Sequence, residues 1–402
     1  MEKANLKKKI VIFTPYYDPE PFPINTFVED LSKHPSVDSV KVITSLPNYR
    51  KYGFYDGYSF FGPFSDNKKN VSVSRLLIIP RYTNSSFSIF LFYISFFLSS
   101  FFYLFIFSIL NRKKYDHILT FCGSPVYVGY LGIFASKLMN IKSSQWVQDI
   151  WPEAIQTTKG LKSKNVRNVI NYLQNKMWKY SDILFSESLS LTNYLKKKYP
   201  YKKIKTLYNP VRKKEESTLF SGNIKKDRLI FSYTGNIGGA QNLEKILDAF
   251  SELDQNKFEL NMCGDGPLIS YLETKFKQKN IIWHGWLTGN ELDKIYINTD
   301  FFVLSLNSEG RQSLILPSKL QTYFQLKKPV FCVANGAVKE LIDFTNSGVT
   351  SNSDDKKNIV ELFNTALNLN ESDRTKMANN GFKYYEDNFQ SETIVREFLS
   401  FI

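Results

Sequence analysis

The run Leu229-Ile-Phe-Ser-Tyr-Thr-Gly-Asn-Ile-Gly-Gly-Ala-Gln-Asn-Leu-Glu-Lys-Ile-Leu-Asp-Ala-Phe250 constrains the fold more than any other stretch. Leu229 to Thr234 is short, apolar and β-rich, whereas Leu243, Ile246, Leu247 and Phe250 recur at helical spacing. The hydrophobic period therefore switches from a strand's to a helix's across Gly235, Gly238 and Gly239, where the backbone is expected to turn tightly. An anion can approach such a turn, because free N–H groups and the positive end of the helix dipole favour it there. The spacing is not G-x-G-x-x-G, and three glycines in a βα turn also serve as plain turn chemistry. Position favours the anion, since the loop opens a second α/β series after a complete first one.

A chain of 402 residues predicts two domains of similar length. In the first, strands are expected at Ile10–Phe13, Val40–Thr44, Val71–Ile79, His117–Phe121, Ser144–Gln148, Ile183–Ser186 and Ile204–Tyr208, with helices between them. The Pro47–Tyr58 loop is long, aromatic and aperiodic at a strand end, which marks it as functional. Asp149-Ile-Trp-Pro-Glu153 puts two carboxylates in a rigid turn at another strand end; these suit catalysis, and equally the capping of the next helix. Lys213–Lys226 is charged and patternless and reads as a linker. The alternation then resumes with Phe258–Cys263, the turn Gly264-Asp-Gly-Pro267, Ile281–Trp286, Phe301–Leu306 and Pro329–Ala334. Ser308–Tyr323 is a loop into a helix that begins near Pro317, with Ser318 placed to bond free amides. Lys319 in that first turn opposes the helix dipole unless an anion is bound. The expected fold is α/β, with two doubly wound parallel sheets facing one another across a cleft: residues 1–210, residues 211–390, and a terminal helix over 391–402 packed back on the first domain.

A net charge of +14 and a pI near 9.3 point to an anionic partner, and no nucleic-acid motif accompanies them. Three dispersed cysteines and three unclustered histidines fit neither a disulfide scaffold nor a metal site. The N-terminus lacks the apolar length of a signal peptide, so the chain is expected to stay in the cytoplasm. The 34 Phe and 24 Tyr demand aromatic surface that is either buried or set against a membrane. Phe87–Leu110 meets that demand, being uncharged for 24 residues, about 36 Å of helix, and flanked by Arg81 and Arg112-Lys-Lys114. Strands of one sheet precede and follow it, so a single crossing would split the sheet across the bilayer. The helix is therefore expected to stay on one face of a membrane, with basic flanks on anionic headgroups and Ser88, Ser95 and Ser99 forming its protein-facing seam. An ordinary buried core helix is the alternative.

In this order the motifs Tyr16-Tyr-Asp-Pro-Glu20, Pro47-Asn-Tyr49, Gln148-Asp-Ile-Trp-Pro152 with Glu153, Asn209-Pro-Val211, Tyr233-Thr-Gly-Asn-Ile-Gly238 with Ala240-Gln241, Gly264-Asp-Gly-Pro267, His284-Gly-Trp286 and Leu316-Pro-Ser-Lys-Leu-Gln321 cover nearly the whole chain. So arranged, the sequence resembles the retaining GT-B glycosyltransferases of family 4, within them the WbuB-like transferases of O-antigen and capsule assembly that move N-acetyl-deoxyhexosamines such as L-fucosamine. The resemblance implies a UDP-sugar donor held mainly by the second domain, at Gly235, Asn236, Gly238, Gly239, Gly264, Asp265, Gly266, Arg311, Ser318, Gln321 and Thr322. It implies a polyprenyl-diphosphate-linked saccharide acceptor at Tyr17, Glu20, Asn48 and Tyr49 on the first domain, and work at the cytoplasmic face of the inner membrane. Neither a metal nor a cofactor is implied. Many members carry an E-x7-E pair, and here Thr322, beside Gln321, stands near its second Glu; many also carry Arg and Lys after the glycine loop, where this chain has Gly239, Ala240 and Gln241. Neutralising the diphosphate then falls to Lys319, Arg311 and helix amides. Asp149 aligns approximately with a histidine that touches the donor sugar in better-known relatives, so its implied role is orienting, with Glu153 beside it. Two other readings remain: a GT-B nucleotide-sugar epimerase, and a non-catalytic sugar-nucleotide-binding partner of a membrane assembly complex.

Overall fold

The computed structural model describes residues 7–49, 51–83, 85–125, 127–153, 163–211, 228–307, 310–352 and 355–402. The chain divides into two compact units, the first formed by Met1–Ala154, Leu161–Pro210 and Ser391–Ile402, the second by Ile155–Gly160 and Val211–Gln390. The expected linker, Lys213–Lys226, lies outside the described residues.

The first unit runs β1 (Lys8–Phe13), α1 (Pro23–Lys33), β2 (Val37–Ser45), β3 (Ser65–Lys68), β4 (Val71–Leu76), α2 (Ser86–Leu110), β5 (His117–Cys122), α3 (Val128–Met139), β6 (Lys142–Val147), α4 (Lys164–Tyr180), β7 (Ile183–Ser186), α5 (Leu189–Lys198) and β8 (Lys203–Thr206). Its sheet has the order β3-β4-β2-β1-β5-β6-β7-β8. Every pairing is parallel except β3 with β4. The central strands read as continuous apolar runs because both faces are covered. On β1, Ile10 and Ile12 enter one core with Phe27 and Trp146, while Val11 and Phe13 enter another with Phe92, Phe96 and Leu131. The antiparallel edge β3 was not expected, because Ser65-Asp-Asn-Lys68 is polar and mostly exposed, and only its pairing with β4 makes it a strand.

The second unit runs β9 (Leu229–Thr234), α6 (Leu243–Phe250), β10 (Phe258–Cys263), α7 (Ile269–Lys275), β11 (Ile281–Gly285), α8 (Gly289–Asn298), β12 (Phe301–Ser305), α9 (Ser318–Gln325), β13 (Val330–Val333), α10 (Ala337–Thr345), β14 (Gly348–Ser351), α11 (Lys356–Asn368) and α12 (Glu371–Asn388). Its sheet is wholly parallel, in the order β11-β10-β9-β12-β13-β14. Phe231 centres its core, with the rings of Phe301, Phe331 and Phe363 at 5.5, 5.4 and 4.9 Å. Much of the chain's phenylalanine is spent in this way. The last helix, α13 (Ser391–Phe401), belongs to the first unit. Its Phe398 is fully buried and meets Phe27 edge-on at 5.3 Å, and the Lys8 Nζ donates to the Ile402 carbonyl at 2.9 Å.

Helix α2 has two contrasting sides. Phe92, Phe96, Ser100, Leu104 and Ser108, one residue per turn, are fully buried. The row Phe90, Ile94, Leu98, Phe102, Ile106 and Leu110 is 41–65% exposed. Ser88 and Ser95 accept hydrogen bonds from the Tyr82 and Ile79 amides, and Ser99 donates to the Leu77 carbonyl. The three serines thus fasten the 77–83 segment to the helix; Ser95 and Ser99 lie one position before Phe96 and Ser100 of the deepest row, and Ser88 lies one turn before Phe92 on that row itself.

Candidate active site

Both sheets part their crossovers at the centre, between β1 and β5 in the first unit and between β9 and β12 in the second, and a crevice opens there at the strands' carboxyl ends. In the second unit the crevice floor is the loop after β9. Gly235 has φ +133°, a value few side chains tolerate, and its amide donates to the Cys263 carbonyl at 2.9 Å. Ile237 donates to the Asp265 carbonyl at 2.8 Å and Asn307 to the Ala240 carbonyl at 2.8 Å, so the loops after β9, β10 and β12 are knitted together. A Cβ on Gly264 would lie 1.8 Å from the Gly235 carbonyl oxygen, and one on Gly266 2.3 Å from that of Ile237. Asp265 is exposed, and its Oδ1 accepts from the Gly266 amide at 2.7 Å. Of the first three glycines only Gly235 has a backbone angle that demands glycine: Gly238 has φ −135°, though a Cβ there would lie 2.7 Å from Asn236 Nδ2, and Gly239 has open space where a Cβ would stand. The loop also does not run straight into a helix. A short 3-10 turn, Gly239–Gln241, and Asn242 at φ +49° intervene, and Gln241 Oε1 accepts from Asn236 Nδ2 at 3.0 Å and the Gly238 amide at 3.2 Å.

Lys319 stands over this floor. Its Nζ donates to the Tyr233 hydroxyl at 2.9 Å and lies 4.1 Å from that ring's centroid, and a Cβ on Gly235 would sit 3.2 Å from it. The Tyr233 hydroxyl in turn donates to the Asn236 carbonyl, so one buried tyrosine sets both the lysine and the loop. Part of Lys319 remains accessible, and burial of the rest pulls its pKa from the usual lysine range to about 7. Tyr233 escaped the sequence reading; its signal was its place two residues ahead of Gly235 on a strand end. Pro317 is the N-cap of α9 and Ser318 its exposed first residue, with no side-chain cap bond, contrary to the expected capping role. Gln321 is fully buried and its amide atoms have no hydrogen-bond partner. Two residues on from Lys319 it is turned about 200° around the helix, which removes it from direct donor contact. Thr322 is half-buried on α9, and Arg311 lies in the 3-10 turn Gly310–Leu314; Ser308 and Glu309 lie outside the described residues.

In the first unit, Asp149 follows β6, and its Oδ2 accepts from Ser124 Oγ at 3.1 Å. Burial raises its carboxyl pKa. Gln174 clasps this turn, donating to the Asp149 carbonyl at 3.3 Å and accepting from the Trp151 amide at 3.1 Å. Glu153 is half-buried at the end of the same turn. Asn209 donates to Gln148 Oε1 at 2.7 Å and to Glu187 Oε2 at 2.9 Å, which ties two of the quoted motifs to one sheet edge.

The expected acceptor residues are largely turned inward. Glu20 and Asn48 are fully buried and Tyr17 is 6% exposed, whereas Tyr49 keeps accessible surface. The Glu20 carboxylate accepts from the Asn48, Tyr49 and Tyr17 amides at 2.8, 2.7 and 3.3 Å. Burial raises its pKa to about 7 against the pull of those amides. Glu20 is therefore a positioning residue that holds the Pro47–Tyr49 loop, and direct acceptor contact does not fit its burial or that of Asn48.

Two Rossmann-like units, each with a crevice at the switch of its strand order, define the GT-B fold. Residues 214–384, nearly the whole second unit, match the family model for glycosyl transferases group 1. The chain is 22% identical over 278 residues to an uncharacterised 41.2 kDa protein in the cps region of Klebsiella pneumoniae, covering 64% of this chain and 72% of that one. Among solved structures it is similar to sucrose-phosphate synthase from Thermosynechococcus elongatus (TM-score 0.71, 13% identity, 98% of each chain). It is similar also to Anabaena HepE in complex with UDP (TM-score 0.67, 11% identity, 98% of each chain). At these identities the two structures bear on fold alone.

Proposed function

We propose that the protein is a retaining glycosyltransferase that moves an N-acetyl-deoxyhexosamine, for example L-FucNAc, from a UDP-sugar to a polyprenyl-diphosphate-linked saccharide in O-antigen or capsule assembly. The observation that carries this reading is Lys319 held by Tyr233 over the Gly235 turn, inside the residues that match glycosyl transferases group 1. Negative charge grows on the departing diphosphate in the transition state, and a preorganised lysine with the adjoining loop amides is placed to meet it without a metal. Asp149, oriented by Ser124, is assigned to the sugar rather than to a covalent step. A relative in a cps region and a similar fold crystallised with UDP are consistent with this donor and setting. The exposed apolar row of α2 and the net charge of +14 support work at the cytoplasmic face of a membrane.

The test is UDP release from a panel of UDP-sugars, with and without membrane-embedded polyprenyl-diphosphate saccharide, in the presence and absence of EDTA. Acceptor-dependent release with one donor, unaffected by EDTA, is expected. No acceptor-dependent release from any donor would sink the proposal.

A further inference from the structure

We propose that Arg81, with Tyr16 and Tyr93, forms a subsite for the phosphate of a lipid-linked acceptor whose hydrocarbon lies along the exposed row of α2. This rests on the transferase reading above. Arg81 is held among rings, its guanidinium carbon 4.6 Å from the centroid of Phe92, 5.5 Å from Tyr93 and 5.8 Å from Tyr16. One of its Nη atoms donates to the Tyr16 hydroxyl, while its Nε is buried without a partner. Among the described residues no carboxylate pairs with it. Rings orient a cation but do not neutralise it, and a partly desolvated guanidinium without a counter-ion is costly. Its planar fork is matched to phosphate.

The surroundings indicate where that phosphate comes from. Tyr16 follows β1, and Tyr93 lies within hydrogen-bonding reach of both Arg81 and Ser124, which follows β5. Arg81 thus sits at the crevice of the first unit's sheet, with Asp149 beyond Ser124. The nearby carboxyls are engaged elsewhere, Glu20 by the Asn48, Tyr49 and Tyr17 amides and Asp149 by Ser124. Phe92 and Tyr93 belong to the second turn of α2, beside the start of the row Phe90, Ile94, Leu98, Phe102, Ile106 and Leu110. That row gives an apolar track of about 30 Å at 1.5 Å per residue. A cation at one end of an exposed apolar track, adjoining the crevice, complements a molecule with a long hydrocarbon tail, a phosphate and a sugar, in that order.

Co-sedimentation of the full chain with phosphatidylcholine vesicles doped with either polyprenyl diphosphate or phosphatidylglycerol tests this. Arg81→Gln should weaken binding to the polyprenyl diphosphate vesicles about tenfold and leave phosphatidylglycerol vesicles unaffected, with Arg81→Lys intermediate. In turnover, Arg81→Gln should raise the acceptor KM by a similar factor while UDP binding is unchanged. Equal loss on both vesicles would make Arg81 a general headgroup contact, and no loss on either would make it structural; each overturns the subsite. If Arg81→Gln fails to give a thermal unfolding transition, Arg81→Lys alone decides: wild-type selectivity for polyprenyl diphosphate in that variant, with unchanged KM, overturns it as well. Selective, Arg81-dependent binding in a protein that never releases UDP would leave the subsite standing and remove the transferase reading.

Discussion

At the scale of single residues, Lys319 carries a chemical consequence of its burial. With a pKa near 7 in the free protein, it loses its charge as pH rises through 7, whereas an arriving diphosphate favours the charged form. Donor binding at pH 8 should therefore take up a proton, seen by calorimetry in two buffers of different ionisation enthalpy, and UDP affinity should fall above pH 7. The unfolded lysine keeps its proton to about pH 10.4, so this site binds fewer protons when folded and its contribution to stability rises with pH between about 7 and 10. Lys319→Ala should abolish the uptake and lower turnover about 10²-fold; normal turnover in a folded variant would remove the lysine from the site. Glu20 makes a different kind of prediction. Removing its carboxylate strands two buried amides and one part-buried one, so Glu20→Ala should cost roughly 3 kcal/mol in urea unfolding, with no change in UDP affinity. The place of Lys319 in a first helical turn was legible in the sequence, from its offset from Pro317. The role of Glu20 was not, because the amides it holds lie 28 and 29 residues away and only the tertiary fold brings them together.

At the scale of elements, strand and helix types followed from hydrophobic period, and what escaped was set by neighbours. β3 has no apolar pattern to betray it. On α2 the serines did mark an edge, yet an almost uniformly apolar helix has no contrast by which to locate its deepest row, and Phe92, Phe96 and Leu104 look in sequence like Phe90, Ile94 and Leu98. The difference matters for choosing substitutions. Phe97 packs against Tyr127 at 5.2 Å and Phe101 stacks on Phe134 at 5.4 Å, so replacing them tests packing as much as lipid contact. Phe90, Leu98 and Phe102 are 58, 49 and 61% exposed. Their joint replacement by Ser should move the protein from the membrane to the soluble fraction with its unfolding transition nearly unchanged. A wild type already soluble without lipid or detergent would refute the membrane docking.

At the scale of the whole molecule, the two units have separate cores, and calorimetry should resolve two transitions. Phe398→Ala should lower only one of them, by about 3–5 kcal/mol, because its ring lies against Phe27, His117 and Phe185 in the first unit. UDP should raise the other, since the proposed donor site lies on the second unit's loops. The doubled alternation of strands and helices made this two-part plan legible, whereas the segments Leu161–Pro210 and Ser391–Ile402 that share the first unit are far apart in sequence, and only the fold joins them. The placement of α13 has a further consequence, for synthesis. A ribosome delivers every strand of the first sheet before it begins β9, but Phe398 emerges only after α12 is complete. Through all that time the first unit lacks the helix that packs beside α1, while the exposed apolar row of α2 is already outside the exit tunnel. The nascent first unit is thus an unfinished domain, and shielding its apolar row, by a chaperone or, on the membrane reading proposed above, by early docking of α2, becomes a requirement of its birth rather than of its chemistry.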